Sequence, residues 1–270
     1  MDKIKYKFQK NISKVFKAFN KMEMRILPGN VAFFFVLALI PIITIVIFVA
    51  SYFSISITTI TELIESVLPK DASQIIINVI SGKDFDGSIG TFNIIALLVA
   101  SNGTYAIINA SNTLYNIKKS DPLKDRVKSL ILLDILLLLI VFLLLVPVFG
   151  GKILTLFDNY KLTTKILKIY NILRWPVTFF LIYSNLKLIY TIAPSKKIKS
   201  KTTTYGALFT TIIWIIATAI FSYYLRYFAN YNIIYGNLSS IIILMMWIYL
   251  ISYVFVMGIA INSVTPDDNG

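Results

Sequence analysis

The stretch VAFFFVLALIPIITIVIFVASYF, residues 31–53, contains no charged residue. A helix rises about 1.5 Å per residue, so roughly 20 apolar residues cross a hydrocarbon core about 30 Å thick. The segment therefore reads as a bilayer-spanning helix. Five further stretches pass the same test, at approximately 90–110, 130–149, 173–193, 206–228 and 235–261. The second and fourth carry several polar residues. Composition agrees with the reading: 57% of the chain is hydrophobic and 14% charged, outside the soluble range. The first span starts too far along the chain, and runs too long, for the apolar core of a signal peptide, so it is read as a retained helix.

The net charge of +13 invites a nucleic-acid reading, and its distribution argues against one. Eight basic residues precede the first span, from Lys3 to Arg25. Lys118, Lys119, Lys124, Arg126 and Lys128 lie between spans two and three, and Lys196, Lys197, Lys199 and Lys201 between spans four and five. All of these fall on one side of the membrane. The opposite side holds only Lys70, Lys83, Lys152, Lys161, Lys165 and Lys168. Cytoplasmic loops accumulate Lys and Arg, so both termini are expected in the cytoplasm. Positive-inside bias accounts for most of the excess charge, and no nucleic-acid partner is expected.

Residues 1–27 form a separate unit. Ile4, Phe8, Ile12, Phe16, Phe19, Met22 and Ile26 recur every three or four residues with lysines on the other face, the pattern of a basic amphipathic helix. It is expected to lie in the cytosolic interface with its lysines on anionic phospholipid headgroups, either as a plain anchor or as a sensor of lipid or partner. Pro28-Gly29 is expected to end it and turn the chain into the bilayer. Outside the membrane, residues 58–65 and 73–78 read as short amphipathic helices broken at Pro69 and Gly82, and 150–172 carries another apolar stripe. The expected fold is all-α: a polytopic six-transmembrane-helix bundle over residues 28–263, flanked by the cytosolic amphipathic helix, capped by short amphipathic helices in the outer loops, and ending in a cytosolic tail at 264–270.

The chain has no His and no Cys, which removes the usual ligands of zinc and the commonest axial ligand of haem. No P-loop, nucleophile elbow, dinucleotide fingerprint or calcium loop is present. No cofactor, metal or catalytic activity is expected. Ionisable and amide groups inside spans then become the candidate site. Asp134 lies about five residues into the third span and Lys187 about six residues from the cytosolic end of the fourth; similar depth allows an ion pair, while the plainer reading has Lys187 reach to the interface. Asn102, Asn109 and Asn112 lie on the most polar span, where amides commonly join helices. Asn102-Gly103 and Pro41, at similar depth on neighbouring spans, outline a possible cavity: Pro41 kinks the first span and Gly103 weakens the second. Arg174 and Arg226, near outer span ends, read as interface anchors.

The first span through Ile40-Pro41, the stretch Asn109-Ala110-Ser111-Asn112-Thr113-Leu114-Tyr115, Arg174-Trp175-Pro176 opening the fourth span, Tyr190 with Pro194, Gly206-Ala207, Tyr235-Gly236 and Trp247-Ile248-Tyr249 together resemble the YihY/BrkB family of bacterial inner-membrane proteins, once labelled ribonuclease BN. The resemblance covers about residues 15–263. It implies six spans with cytoplasmic termini and no settled activity. One position departs: the family usually carries an acid after the last-helix glycine, where this chain has Ala260 after Gly258-Ile259. The ribonuclease label does not carry over, because the enzyme of that name is a soluble zinc-dependent hydrolase and a chain with no His lacks its metal ligands. Two functions are expected to compete. One is a transporter-like or lipid-handling protein of the cell envelope; the other is a membrane scaffold that binds envelope partners without transport activity, and the expected protein partner is a second copy or another envelope protein.

Overall fold

A computed structural model of the chain describes residues 19–20, 22–52, 58, 61, 65, 73, 77, 89–118, 120–156, 163–227 and 236–265. Among them the regular structure is helical throughout, with no strand. Six long helices follow one another: α1 (Glu23–Tyr52), α2 (Ile89–Leu114), α3 (Pro122–Leu156), α4 (Thr163–Ile192), α5 (Thr204–Tyr227) and α6 (Ser239–Val264), with a 3-10 turn, Gly236–Leu238, leading into α6. Each expected span overlaps one of them, and those at 90–110 and 130–149 fall wholly inside α2 and α3. Two, α5 with 24 residues and α6 with 26, are long and apolar enough over fully described residues to cross a membrane. The basic helix expected over 1–27, apart from its last few residues, lies outside the described residues, as do the end of the tail and the outer-loop helices expected at 58–65 and 73–78 except for the helical residues 58, 61, 65, 73 and 77.

Each helix packs on its neighbour in sequence, and α6 returns to α1, so the six close into a ring. The described core collects at one end of that ring. It joins Met24 and Val31 of α1, Ile107, Ile108 and Leu114 of α2, Leu132 of α3, Leu186, Ile189 and Tyr190 of α4, Ala207 of α5, and Phe255, Val256 and Ile259 of α6. By the charge pattern this is the basic end. Outward faces are apolar as well: Phe180 is 64% exposed and Ile220 63%, as expected of a bundle whose solvent is lipid.

Several expectations are corrected by the helix bounds. Pro28-Gly29 ends no helix, because α1 runs from Glu23 through both. Met24, Pro28, Val31 and Ala38 share one buried face of it, and that packing holds the helix together across the missing proline donor. The 150–172 segment is no separate cap: α3 continues to Leu156 and α4 starts at Thr163. For the same reason Arg174-Trp175-Pro176 does not open α4; Pro176 lies inside it. Nor does Gly103 weaken α2, which is unbroken across it. A Cβ there would lie 3.3 Å from the Phe35 ring and 3.5 Å from Ala38, so the glycine serves close approach of α2 to α1. Pro41 lies within the continuous α1.

Candidate polar site at the basic end of the bundle

The α3 helix starts where local chemistry dictates. Asp121 precedes Pro122, and its Oδ1 accepts the backbone N–H groups of Leu123 (3.1 Å) and Lys124 (3.4 Å), an N-cap that satisfies two of the four unpaired donors of a helix start. Those N–H groups and the neighbouring Lys124, 3.5 Å away, hold the Asp121 carboxyl below its ordinary range. One turn on, Asp125 is 2% exposed. Its Oδ1 accepts a hydrogen bond from Ser195 Oγ at 2.6 Å and its Oδ2 a long one from Asn112 Nδ2 at 3.4 Å. Asn112 Nδ2 also donates to Ser195 Oγ at 2.8 Å, and Asn112 Oδ1 accepts the Ser195 N–H at 2.7 Å. The last turn of α2, the first turn of α3 and the loop after α4 are thereby tied at one point. Lys128 Nζ reinforces the tie by donating to the Pro194 carbonyl at 3.1 Å. A carboxylate in the first turn of a helix is favoured by the helix dipole, which helps Asp125 remain buried without a cationic partner.

A second tie joins α2 and α3. Thr104 Oγ1 donates to the Ser129 carbonyl at 2.6 Å. Arg126 donates from Nη1 to Asn102 Oδ1 at 2.8 Å and from Nη2 to the Leu98 carbonyl at 3.0 Å. A third joins α4, α5 and α6. The buried Tyr190 hydroxyl donates to the Phe255 carbonyl (2.9 Å) and pairs with Thr210 Oγ1 (2.8 Å). Asn262 Oδ1 accepts the Gly206 N–H at 2.8 Å, capping α5 from α6, and Trp214 Nε1 donates to the Ile251 carbonyl at 2.8 Å. The helices meet closely enough that a Cβ on Gly206 would strike the Gly258 carbonyl, and one on Gly258 would strike Thr210 and Tyr190. Small residues at helix crossings serve this purpose in membranes. Just beyond α2, burial pushes the Tyr115 hydroxyl up, so it stays neutral.

The residues expected to form the site are therefore only partly gathered. Asn112 sits at the centre of the first tie and Asn102 in the second. Asn109 is exposed, and its carbonyl accepts only from Thr113 one turn on. No ion pair joins Asp134 to Lys187 among the described residues, whereas Lys124 pairs with Asp121. Asp134 is exposed on the outward side of α3, while Lys187 lies over its neighbour Tyr183, 5.9 Å from the ring centre. Asp125, Ser195 and Arg126 were missed. Asp125 and Arg126 fall before the hydropathic third span, which starts near residue 130 whereas α3 starts at Pro122, and Ser195 lies in the loop after α4. The Asp121-Pro122 cap was the signal that would have found Asp125. Among the described residues no three His, Cys, Asp or Glu side chains gather as a metal site.

Against known proteins, the family profile described as Virulence factor BrkB matches residues 15–269. A Bacillus subtilis (strain 168) protein named ribonuclease-like YfkH is 30% identical over 269 residues, covering 96% of this chain and 98% of its own. A UPF0761 membrane protein of Haemophilus influenzae (strain 86-028NP) is 24% identical over 270 residues, with 97% of each chain covered. A further UPF0761 membrane protein, from Pasteurella multocida (strain Pm70), is 34% identical over 91 residues, 34% of this chain and 29% of its own. No solved structure matches at a significant level.

Proposed function

Because the chain belongs to the BrkB family, which includes UPF0761 membrane proteins, we propose that it is a transporter-like, lipid-handling protein of the bacterial inner membrane, with six spans and both termini in the cytoplasm. The observation that carries this reading is the buried Asn112–Asp125–Ser195 tie. A carboxylate taken from water without a cation is costly, and ionisable groups buried in a membrane bundle are default functional candidates. Here it joins three segments at the basic end, where a change in one hydrogen bond releases two loops at once. The charge asymmetry supports the orientation, and the exposed apolar side chains on the described helices support residence in lipid.

The proposed role is not enzymatic. The name of the Bacillus relative is not transferred, since a chain without His or Cys lacks the ordinary ligands of a hydrolytic zinc site. The test is movement of labelled anionic and zwitterionic phospholipids in proteoliposomes, with wild type beside Asp125→Asn, Asn112→Leu, Asn102→Leu and Lys187→Ala. Movement by wild type that Asp125→Asn or Asn112→Leu abolishes, in a protein that still folds, supports the reading. Wild type no faster than empty liposomes overturns it and leaves the scaffold, in which the same tie only holds the basic loops in a fixed shape for a partner.

A further inference from the structure

Arg126 points the wrong way for an anchor. Basic side chains near a span end normally extend outward, toward water. The register between α2 and α3 is set by Thr104 opposite Ser129 and by Ala100 packed with Leu133. Asn102 and Leu98, which Arg126 grips, therefore lie opposite α3 residues about one and a half to two and a half turns deeper than Arg126 itself. The guanidinium is drawn along the α2/α3 seam toward the middle of the bilayer. No carboxylate pairs with it, since the ion pair among the described residues lies elsewhere, and two of its five N–H groups are used by these bonds.

The surroundings of that seam are those of a lipid. Leu98 is 46% exposed and Val99 39% on α2; Leu123 is 80%, Val127 60% and Ile131 49% exposed on α3. Spacings of four place the three α3 residues on one outward face, and Asp134, also exposed, continues the same face. Asp134 stands eight residues beyond Arg126, about 12 Å along the helix, and the inward lean of the guanidinium shortens that gap. A fork that fits phosphate, a carboxylate further along, and an apolar strip around both match a lipid whose headgroup carries a phosphate and an ammonium.

We propose that the α2/α3 seam binds a phospholipid, its phosphate on Arg126, and that Asp134 selects an ammonium-bearing headgroup over one with net negative charge. The proposal rests on the membrane-spanning part of the reading above, not on transport. It is tested by native mass spectrometry of the full-length protein in detergent, supplied with phosphatidylethanolamine, phosphatidylglycerol or diacylglycerol. Wild type retains phosphatidylethanolamine over both others. Arg126→Gln lowers phospholipid retention about tenfold or more, the loss of a charge-assisted contact, and Asp134→Asn brings phosphatidylglycerol level with phosphatidylethanolamine. Soluble glycerophosphoethanolamine does not displace the bound lipid; displacement would overturn the lipid assignment in favour of a free phosphate ester. Equal retention of diacylglycerol by wild type, or unchanged retention by a folded Arg126→Gln, overturns the site. Should Arg126→Gln fail to fold, Arg126→Lys keeps the charge without the fork, and the wild-type contrast with diacylglycerol decides alone. Lipid retained without movement in proteoliposomes sinks transport and leaves this site standing; movement without retention does the reverse.

Discussion

Two carboxylates nine residues apart on α3 meet opposite fates. Asp125 is buried and accepts from Ser195 and Asn112, whereas Asp134 is exposed and pairs with no lysine. Removing Asp125 takes an acceptor from the Ser195 hydroxyl and from the buried Asn112 amide; no hydrogen bond to Asp134 among the described residues is lost with it. Asp125→Ala is therefore expected to destabilise the protein by about 2 kcal/mol or more, since hydrogen bonds to charged groups contribute about 1.5–3 kcal/mol each, while Asp134→Ala leaves the melting temperature in detergent within error of wild type. Equal melting temperatures for the two variants would show that the Asp125 tie carries no stability. The sequence pointed to Asp134 because it lies inside a hydropathic window, and passed over Asp125 because it lies before one. Hydropathy reports the average of a segment, and burial is decided by which neighbours that segment meets.

The same division holds for whole elements. Each of the six helices was legible as an apolar run, but their ends were not, since Pro28, Gly29, Gly103 and Pro176 all lie inside helices. Propensity sets a small local cost, and tertiary packing along α1 and α2 outweighs it. Gly206 shows the opposite case, where the backbone itself is the neighbour. Gly206→Ala drives a methyl into the Gly258 carbonyl and is expected to cost about 1–3 kcal/mol as overpacking, separating α5 from α6. At Gly103 the nearest atoms belong to the Phe35 ring at 3.3 Å, so Gly103→Ala is expected to be the milder change. Thermal melts of both variants check the order. The start of α3 adds a pH dependence. The folded Asp121 carboxyl lies below its ordinary value of 3.8, so the cap contributes stability above that value and loses it as pH falls through the lower folded one. The difference in melting temperature between wild type and Asp121→Ala is thus expected to be constant near neutral pH and to shrink as pH drops below 3.8; a difference that grows on acidification would contradict the cap.

For the molecule as a whole, the absence of native cysteine makes orientation directly measurable. Single thiols introduced as Ser120→Cys and Thr202→Cys are expected to react with a membrane-impermeant maleimide only after the cytoplasmic face is opened, and Asp84→Cys is expected to react in intact cells. Labelling of all three from outside would refute the orientation. What the sequence determined by itself is the solvent and the secondary structure. Long uncharged runs must satisfy every backbone N–H and C=O within the segment, so they are helical where the solvent is lipid, and the Lys and Arg counts supply the orientation expected of them. What only the tertiary structure decided is the ring closed by α6 on α1, the meeting of Asn112, Asp125 and Ser195, and the inward turn of Arg126. Those depend on helix register and on which faces touch, set by small residues and a few hydrogen bonds between segments far apart in the chain, which periodicity along one segment does not contain.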